Sequence, residues 1–544
     1  MRYLQTLITL AMITVSHYTY SQGCGGPTPL LCDANSDQAI DQSDIDEIVL
    51  AKGTAADPGD IRDLDGDGLV STLDARECIA YCTETTCAVP TLLGPVLPDS
   101  QISLGASYLA EVGYEKKEFF LADIARSYTA VQPLPSDGKL VVTADAEVVA
   151  GDYNTRLVVF RPINGADFNG TVVLEWLNVS AGSESNPDWL MAHNEFIRSG
   201  FAWIGVSAQS VGVNALKNST NSVVAARYAP LLHPGDSYSY DIFKHAGLAA
   251  SEVGSVLLGG LTADVVLADG ESQSAGRMVT YIDAIQPIEP VYDGFFVHSR
   301  FGRGASISQA PLPSVQFPSP SPIRDDLSVP VMILQAEGDV IGSNLESRQP
   351  ADTSMIREWE MAGTSHVDSY TLLGINDSGD GSSANTMFGY LRAPNNPFGC
   401  TNGFNAGPQT YIVQAAYRGL DTWVRTGVAP PTAPRLTDIS SSPVVLARDE
   451  NGNALGGVRS AQVDVPLATL DSVNSAPPGG FGFCRLFGRT VPFSSARVME
   501  LYPTKFDFTE MWSNSIDTNV TNGFLLEADG DVLKAAASAW QYPD

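Results

Sequence analysis

Short, nearly continuous apolar runs recur through the middle of the chain, separated by longer amphipathic stretches. Arg156 to Phe160, Thr171 to Trp176, Ala202 to Val206, Asp264 to Ala268, Gly294 to Val297 and Val329 to Leu334 are rich in Val, Ile, Leu, Phe and Ala. Runs of this length without strict alternation predict strands buried on both faces. Between them, Asp188 to Ser199 and Ile242 to Leu258 carry apolar residues at helical spacing and predict helices. Strand and helix in alternation imply an α/β architecture: a mainly parallel sheet covered by helices on both faces. No internal repeat interrupts this region.

The first ninety residues have a different pattern. Arg2 precedes an apolar run from Leu4 to Val15, and small or polar residues follow to Ser21. This predicts an export signal over residues 1–21, with cleavage near Ser21–Gln22. No later stretch approaches the roughly 18 uninterrupted apolar residues that a membrane span needs. The chain is therefore divided into 1–21, an acidic module over 22–89, and a main domain over 90–544. With 44% hydrophobic residues it has material for a sizeable core. Its net charge of −31 excludes nucleic acid as a partner, because phosphate binding needs a basic surface. Seven cysteines fit disulfides in an oxidising, extracytoplasmic compartment. Cys400 and Cys484 form a late candidate pair. Cys32, Cys78, Cys82 and Cys87 allow two early bridges and leave Cys24 over. Since Gly23 precedes Cys24, a lipid anchor there is the alternative to free secretion.

The acidic module is patterned. Asp33, Asn35, Asp37, Asp41 and Asp44 occupy loop positions 1, 3, 5, 9 and 12, and Asp63, Asp65, Asp67, Ser71 and Asp74 repeat that spacing. Oxygen side chains at these positions are what a hard cation such as calcium requires, with a backbone carbonyl at position 7 from Ala39 and Leu69. Gly68 supplies the glycine expected at position 6, where the first loop has Gln38. A helix-like run follows each loop, so an EF-hand-like calcium module is expected. With Asp at position 12 the pair resembles a dockerin-type repeat, and its ending through Cys78, Cys82 and Cys87 resembles a module appended to secreted bacterial proteins. That resemblance implies a cohesin-like partner or the cell surface as a binding target.

The chemistry concentrates after the run ending at Ala268. Gly270-Glu271-Ser272-Gln273-Ser274 links a strand to a helical pattern, which places a serine on a sharp turn at the sheet's carboxyl edge. Ser272 is the expected nucleophile. Ser274 is a rival, but choosing it would force Gly270 and Glu271 into the strand, where they fit poorly. A serine needs a base, and the base a carboxylate to orient it. Of the histidines after Ser272, His366 lies in a loop near the end of the sheet and suits the base, while His298 ends a strand and is expected to border the pocket, chiefly as a hydrogen-bonded wall residue. Both Glu337 and Asp339 follow the Val329 to Leu334 run as candidates for the acid. Laying that strand against a typical hydrolase strand favours Asp339. An oxyanion site needs two backbone N–H donors. Gln273 is one candidate, and the loop after Trp176 offers Asn178 and Val179.

From Tyr114 to about Tyr542 the chain resembles a family of bacterial α/β-hydrolase-domain proteins. The residues that carry the resemblance are Phe119 to Tyr128, Glu175 to Val179, His233 to Asp241, Gly270 to Tyr281, Tyr292 to Arg300 and Gly407 to Pro434. It implies an α/β-hydrolase fold and a Ser/acid/His hydrolase without a catalytic cofactor, and leaves the substrate open. The expectation is a secreted serine esterase acting on a small or polymeric ester, such as an acylated polysaccharide or a polyester. The alternatives are a noncatalytic, calcium-dependent adhesion protein with a vestigial hydrolase fold, and an acyltransferase or peptidase on the same fold.

Overall fold

The computed structural model describes residues 32–41, 43, 44, 47, 48, 51, 54–64, 66, 68–70, 74 and 78 of the acidic module, and residues 90–96, 108–144 and 151–543 of the main domain. The export signal and Cys24, Cys82 and Cys87 lie outside the described residues. Eleven strands lead through the first part of the main domain: β1 (Thr91–Leu93), β2 (Tyr114–Ala125), β3 (Tyr128–Ala130), β4 (Val142–Ala144), β5 (Gly151–Pro162), β6 (Thr171–Trp176), β7 (Ala202–Val206), β8 (Val265–Glu271), β9 (Gly294–His298), β10 (Val331–Ala336) and β11 (Ile356–Met361). Nine of them form one sheet in the order β1-β2-β5-β7-β6-β8-β9-β10-β11, and β3 pairs with β4 in a separate hairpin. β7 through β11 in that order run parallel, and β5, β2 and β1 add on antiparallel.

The strands form where the apolar runs stand, and their alternation feeds two cores. Val172, Leu174 and Trp176 of β6 point to one face, where they meet Ile204, Phe243, Ala268, Met278 and Phe295. Val173 points to the other, with Trp189, Phe196, Trp203, Leu267 and Tyr417. A strand buried on both faces is mostly apolar, which is why these runs do not alternate with polar residues. Glu175 in β6 is an exception, its carboxylate accepting from the Asp188 and Trp189 N–H groups and the Trp203 indole. Helices α1 (Pro187–Ser199) and α5 (Thr410–Thr426) cover the second face. Helices α2 (Ser239–Ser251) and α3 (Gln273–Thr280) cover the first. A short helix, α4 (Glu337–Gly342), leaves the end of β10.

One expected helix is shorter than its spacing suggested. The Ile242 to Leu258 pattern is helical only to Ser251. Beyond it Val253 and Val256 face solvent, and Gly254, Gly259 and Gly260 take positive φ angles in a turn. The same helix begins at Ser239, so Asp241 lies in its first turn. The Asp241 carboxylate accepts hydrogen bonds from the Arg126 N–H and the Tyr128 hydroxyl.

A third apolar cluster joins Val340, Ala362 and Tyr370 to the C-terminal helices α6 (Lys505–Thr521) and α7 (Glu527–Ala539). Disulfides link Cys400 to Cys484 and Cys32 to Cys78. The acidic module has a small core of its own, made of Cys32, Ile40, Ile48, Val70 and Cys78. Among the described residues, no helix is long and apolar enough to cross a membrane.

Candidate active site

β8 ends at Glu271 and α3 starts at Gln273, so the whole turn between strand and helix is one residue, Ser272. Its backbone sits at φ 60°, ψ −113°. A side chain at positive φ costs about 1–3 kcal/mol and persists only where the surroundings hold it. Here the Ser272 N–H donates to His298 O at 2.9 Å, so the end of β9 clamps the turn. Gly270 explains how the turn closes without a second glycine. A Cβ on Gly270 would lie 2.9 Å from the Ser274 backbone, so the missing side chain at 270 makes the room and Ser274 keeps its own.

Ser272 Oγ lies 2.8 Å from His366 Nε2, and His366 Nδ1 lies 2.6 Å from Asp339 Oδ1. The second Asp339 oxygen accepts the Ala336 N–H at 2.7 Å, which fixes the carboxylate. Because Nδ1 faces a carboxylate it carries the proton, and Nε2 turns its lone pair to the serine. Burial, the largest influence, pulls the His366 imidazole down. The Asp339 carboxylate, with Glu271 behind it, outweighs burial and holds the group above its ordinary value. The loop carrying His366 is pinned by Gln409, whose amide donates to Ser365 O at 2.7 Å and His366 O at 3.3 Å.

Glu337, the other candidate acid, is turned away from His366. It pairs with Arg448 at 2.6 Å, and it accepts from the Gly363 N–H at 2.8 Å and Ser472 Oγ at 3.1 Å. Asn178 also departs from expectation. Its N–H is spent on Ser185 O at 2.9 Å in a local bridge, and its side-chain amide donates to Glu271 O and Oε2 at 3.1 and 3.2 Å. Those bonds bring the loop after β6 against the Ser272 turn and leave Val179 as the donor candidate of that loop. Gln273, as the first residue of α3, has an N–H without an intrahelical acceptor.

His298 is hydrogen-bonded through both ring nitrogens. It is wholly buried, with Nδ1 2.7 Å from Asp188 Oδ1 and Nε2 3.1 Å from Gln409 Oε1. The Gln409 amide nitrogen is committed to two carbonyls, so its oxygen must face His298, and both ring nitrogens must donate. His298 is therefore an imidazolium. Burial, the largest influence, opposes that charge, but Asp188 and then Glu271 outweigh it and lift the group to about 9.

Three residues of this centre carried no sequence-based role: Glu271, Asp188 and Gln409. Only Glu271 had a local signal, its place beside the serine.

In the acidic module, Asp33, Asp37 and Asp44 each offer a carboxylate oxygen within 4.8 Å of the others. Asn35 Oδ1 accepts the Asp37 N–H at 2.9 Å, and Asp41 accepts from Ser43. In the second loop Asp63 accepts from the Gly66 and Gly68 N–H groups, and Asp74 from that of Leu64. Asp65, Asp67 and Ser71 lie outside the described residues.

Residues 91–535 match the family described as alpha/beta hydrolase domain. The chain belongs to that family. No curated protein matches it. Similar solved structures include a lidless serine hydrolase from Xanthomonas campestris, 12% identical, covering 46% of this chain and 88% of that one with a TM-score of 0.24. A CE15 glucuronoyl esterase from Teredinibacter turnerae is 10% identical, covers 59% and 80%, and has a TM-score of 0.24. Acetyl xylan esterase 1 from Thermoanaerobacterium is 11% identical, covers 57% and 90%, and has a TM-score of 0.23. The family assignment rests on the sequence match and not on these distant likenesses.

Proposed function

We propose that this α/β hydrolase cleaves carboxylic esters, with Ser272 as nucleophile, His366 as general base and Asp339 as the carboxylate that orients it. The observation that carries the reading is the unbroken hydrogen-bond chain from Ser272 Oγ through His366 to Asp339, at 2.8 and 2.6 Å. As Oγ bonds to the ester carbonyl carbon, its proton passes to Nε2, and Asp339 stays ionised and stabilises the imidazolium. The Gln273 and Val179 N–H groups serve the oxyanion that forms. The Nε2 proton then leaves with the alcohol, and water repeats the sequence on the acyl-enzyme to release the acid. An exported chain with disulfides and an acidic module suits an ester carried on a polymer, an acylated polysaccharide or a polyester. A panel of p-nitrophenyl esters and acylated polymers tests the reading. Ser272→Ala should lower kcat by about 10³-fold or more. Retained activity in that variant sinks the assignment, and a protein inert on every ester would instead be an adhesion module.

A second reading concerns the acidic module, which we infer binds calcium and is the candidate for docking to a cohesin-like partner or the cell surface. The clustering of Asp33, Asp37 and Asp44 oxygens supports it, because two ligands about 2.4 Å from one ion lie within about 4.8 Å of each other. Calorimetric titration of the full chain should give a Kd of about 10⁻⁴ to 10⁻³ M, weakened by Asp33→Asn. Equal heats for calcium and buffer would remove the site.

A further inference from the structure

Glu271 precedes the nucleophile, is buried, and has no place in the reaction as described. Its Oε1 lies 3.5 Å from His366 Nε2, the same ring nitrogen that faces Ser272 Oγ. Its other oxygen is held by the Asn178 amide at 3.2 Å, so the carboxylate cannot swing away. We propose, on the reading of Ser272 and His366 given above, that Glu271 is a positioning residue whose ionised carboxylate stabilises the His366 imidazolium from the serine side.

The argument follows the proton. In the resting state Nε2 presents a lone pair, which an ionised Glu271 meets as like charge meeting a partial negative charge. When Ser272 attacks, the proton reaches Nε2 and the ring becomes a cation between two carboxylates, Asp339 at Nδ1 and Glu271 beside Nε2. The interaction is thus stronger in the transition state than in the ground state, which is the condition for raising kcat. No bond to Glu271 forms or breaks, and the proton still leaves with the alcohol.

Four other charged or titratable groups act on Glu271. His366 comes from the loop after β11, Asp339 from α4, His298 from the end of β9, and Asp188 from α1. Burial, the largest influence, drives the Glu271 carboxyl up to about 7, with His366 and His298 pulling it down and Asp188 and Asp339 raising it. The fixed His298 imidazolium therefore keeps Glu271 available as an anion near neutral pH. Two groups this close titrate as a pair, so the acid limb of kcat/KM belongs to Glu271 and His366 jointly.

The test is the pH profile of Glu271→Gln, an isosteric change, beside wild type and Ser272→Ala. Removing the negative charge should lower the His366 proton affinity, moving the acid limb down by about one pH unit. On the plateau kcat should fall about tenfold with KM within about twofold. An acid limb that does not move overturns the proposal, because a packing defect lowers the rate without shifting a titration. In wild type, infrared difference spectra should lose one buried carboxylic acid band near neutral pH, and that band should be missing in Glu271→Gln. A spectrum without such a band overturns it equally, whether or not the variant folds well. Activity surviving in Ser272→Ala would remove the underlying reading as well, whereas a dead Ser272→Ala with an unmoved Glu271→Gln profile would remove this inference alone.

Discussion

Among the described residues, two buried Asp–His pairs share nearly the same bond. Asp339 holds His366 Nδ1 at 2.6 Å, and Asp188 holds His298 Nδ1 at 2.7 Å. Both rings sit within the centre, at the carboxyl ends of β11 and β9. What separates them is the group facing Nε2. For His366 it is a serine hydroxyl, which can give up a proton, so on the proposed reading the ring acts as a base. For His298 it is the Gln409 oxygen, which can only accept, so the ring is locked as a cation. An Asp–His pair is therefore not in itself a catalytic unit. The partner of its second nitrogen decides whether it moves a proton or holds one.

The largest way to break this comparison is to change each carboxylate in turn. Asp339→Asn should leave the fold intact but misdirect the tautomer of His366, lowering kcat by about 10⁴-fold. Glu337→Gln, whose carboxyl sits on Arg448, should stay within about tenfold of wild type. Asp188→Asn should reverse the balance. Leaving the His298 imidazolium without its counter-charge should cost about 3–5 kcal/mol in chemical denaturation. The kcat of that folded variant should remain within about tenfold of wild type. If Asp188→Asn matched Asp339→Asn in lost rate at unchanged stability, the two pairs would be functional equals and the distinction would fall.

These pairs also mark how far the sequence could be read. The strands before Ser272 and Asp339 were legible because buried strands leave apolar runs, although both run two or three residues beyond the predicted ends. β11, before His366, left no such run, because Arg357, Glu358 and Glu360 interrupt it. The turn at Ser272 was placed on a ground that does not hold, since β8 takes in both Gly270 and Glu271, which were expected to stay out of the strand; the bare Gly270 packs against the Ser274 backbone there. The roles of Asp188 and Gln409 were not, because each meets His298 across about 110 residues of chain. His298 was expected as a hydrogen-bonded residue of the pocket wall, and its two partners could not be named for the same reason. The end of β9 predicts a residue near the site, but only Asp188 from α1 and Gln409 from the residue before α5 turn it inward. Asn178 and Val179 differ by one position in a loop, and the bond from the Asn178 N–H to Ser185 O that sets them apart has no mark in the sequence. The overextended Ile242 to Leu258 helix shows the converse, since Val253 and Val256 keep the apolar spacing without any core to face.

A smaller effect sharpens the comparison without touching the reaction. His298 binds its proton more tightly in the folded protein, at about 9, than an ordinary imidazole does. A group raised on folding contributes stability that is complete below its unfolded value, near 6.5, and is lost as pH rises through the folded one. Thermal stability should therefore decline between about pH 6.5 and 9 as the imidazolium is lost. Glu271, raised to about 7, acts in the same direction but in the lower window that starts near its ordinary carboxyl value. The upper window belongs to His298. In His298→Gln, whose side chain cannot carry the charge, the melting temperature should be lower at pH 6.5 and its fall toward pH 9 should be shallower than in wild type. Parallel curves for the two proteins across that window would mean that His298 is neutral, that the Gln409 amide is turned the other way, and that the two imidazoles differ in something other than the charge they hold.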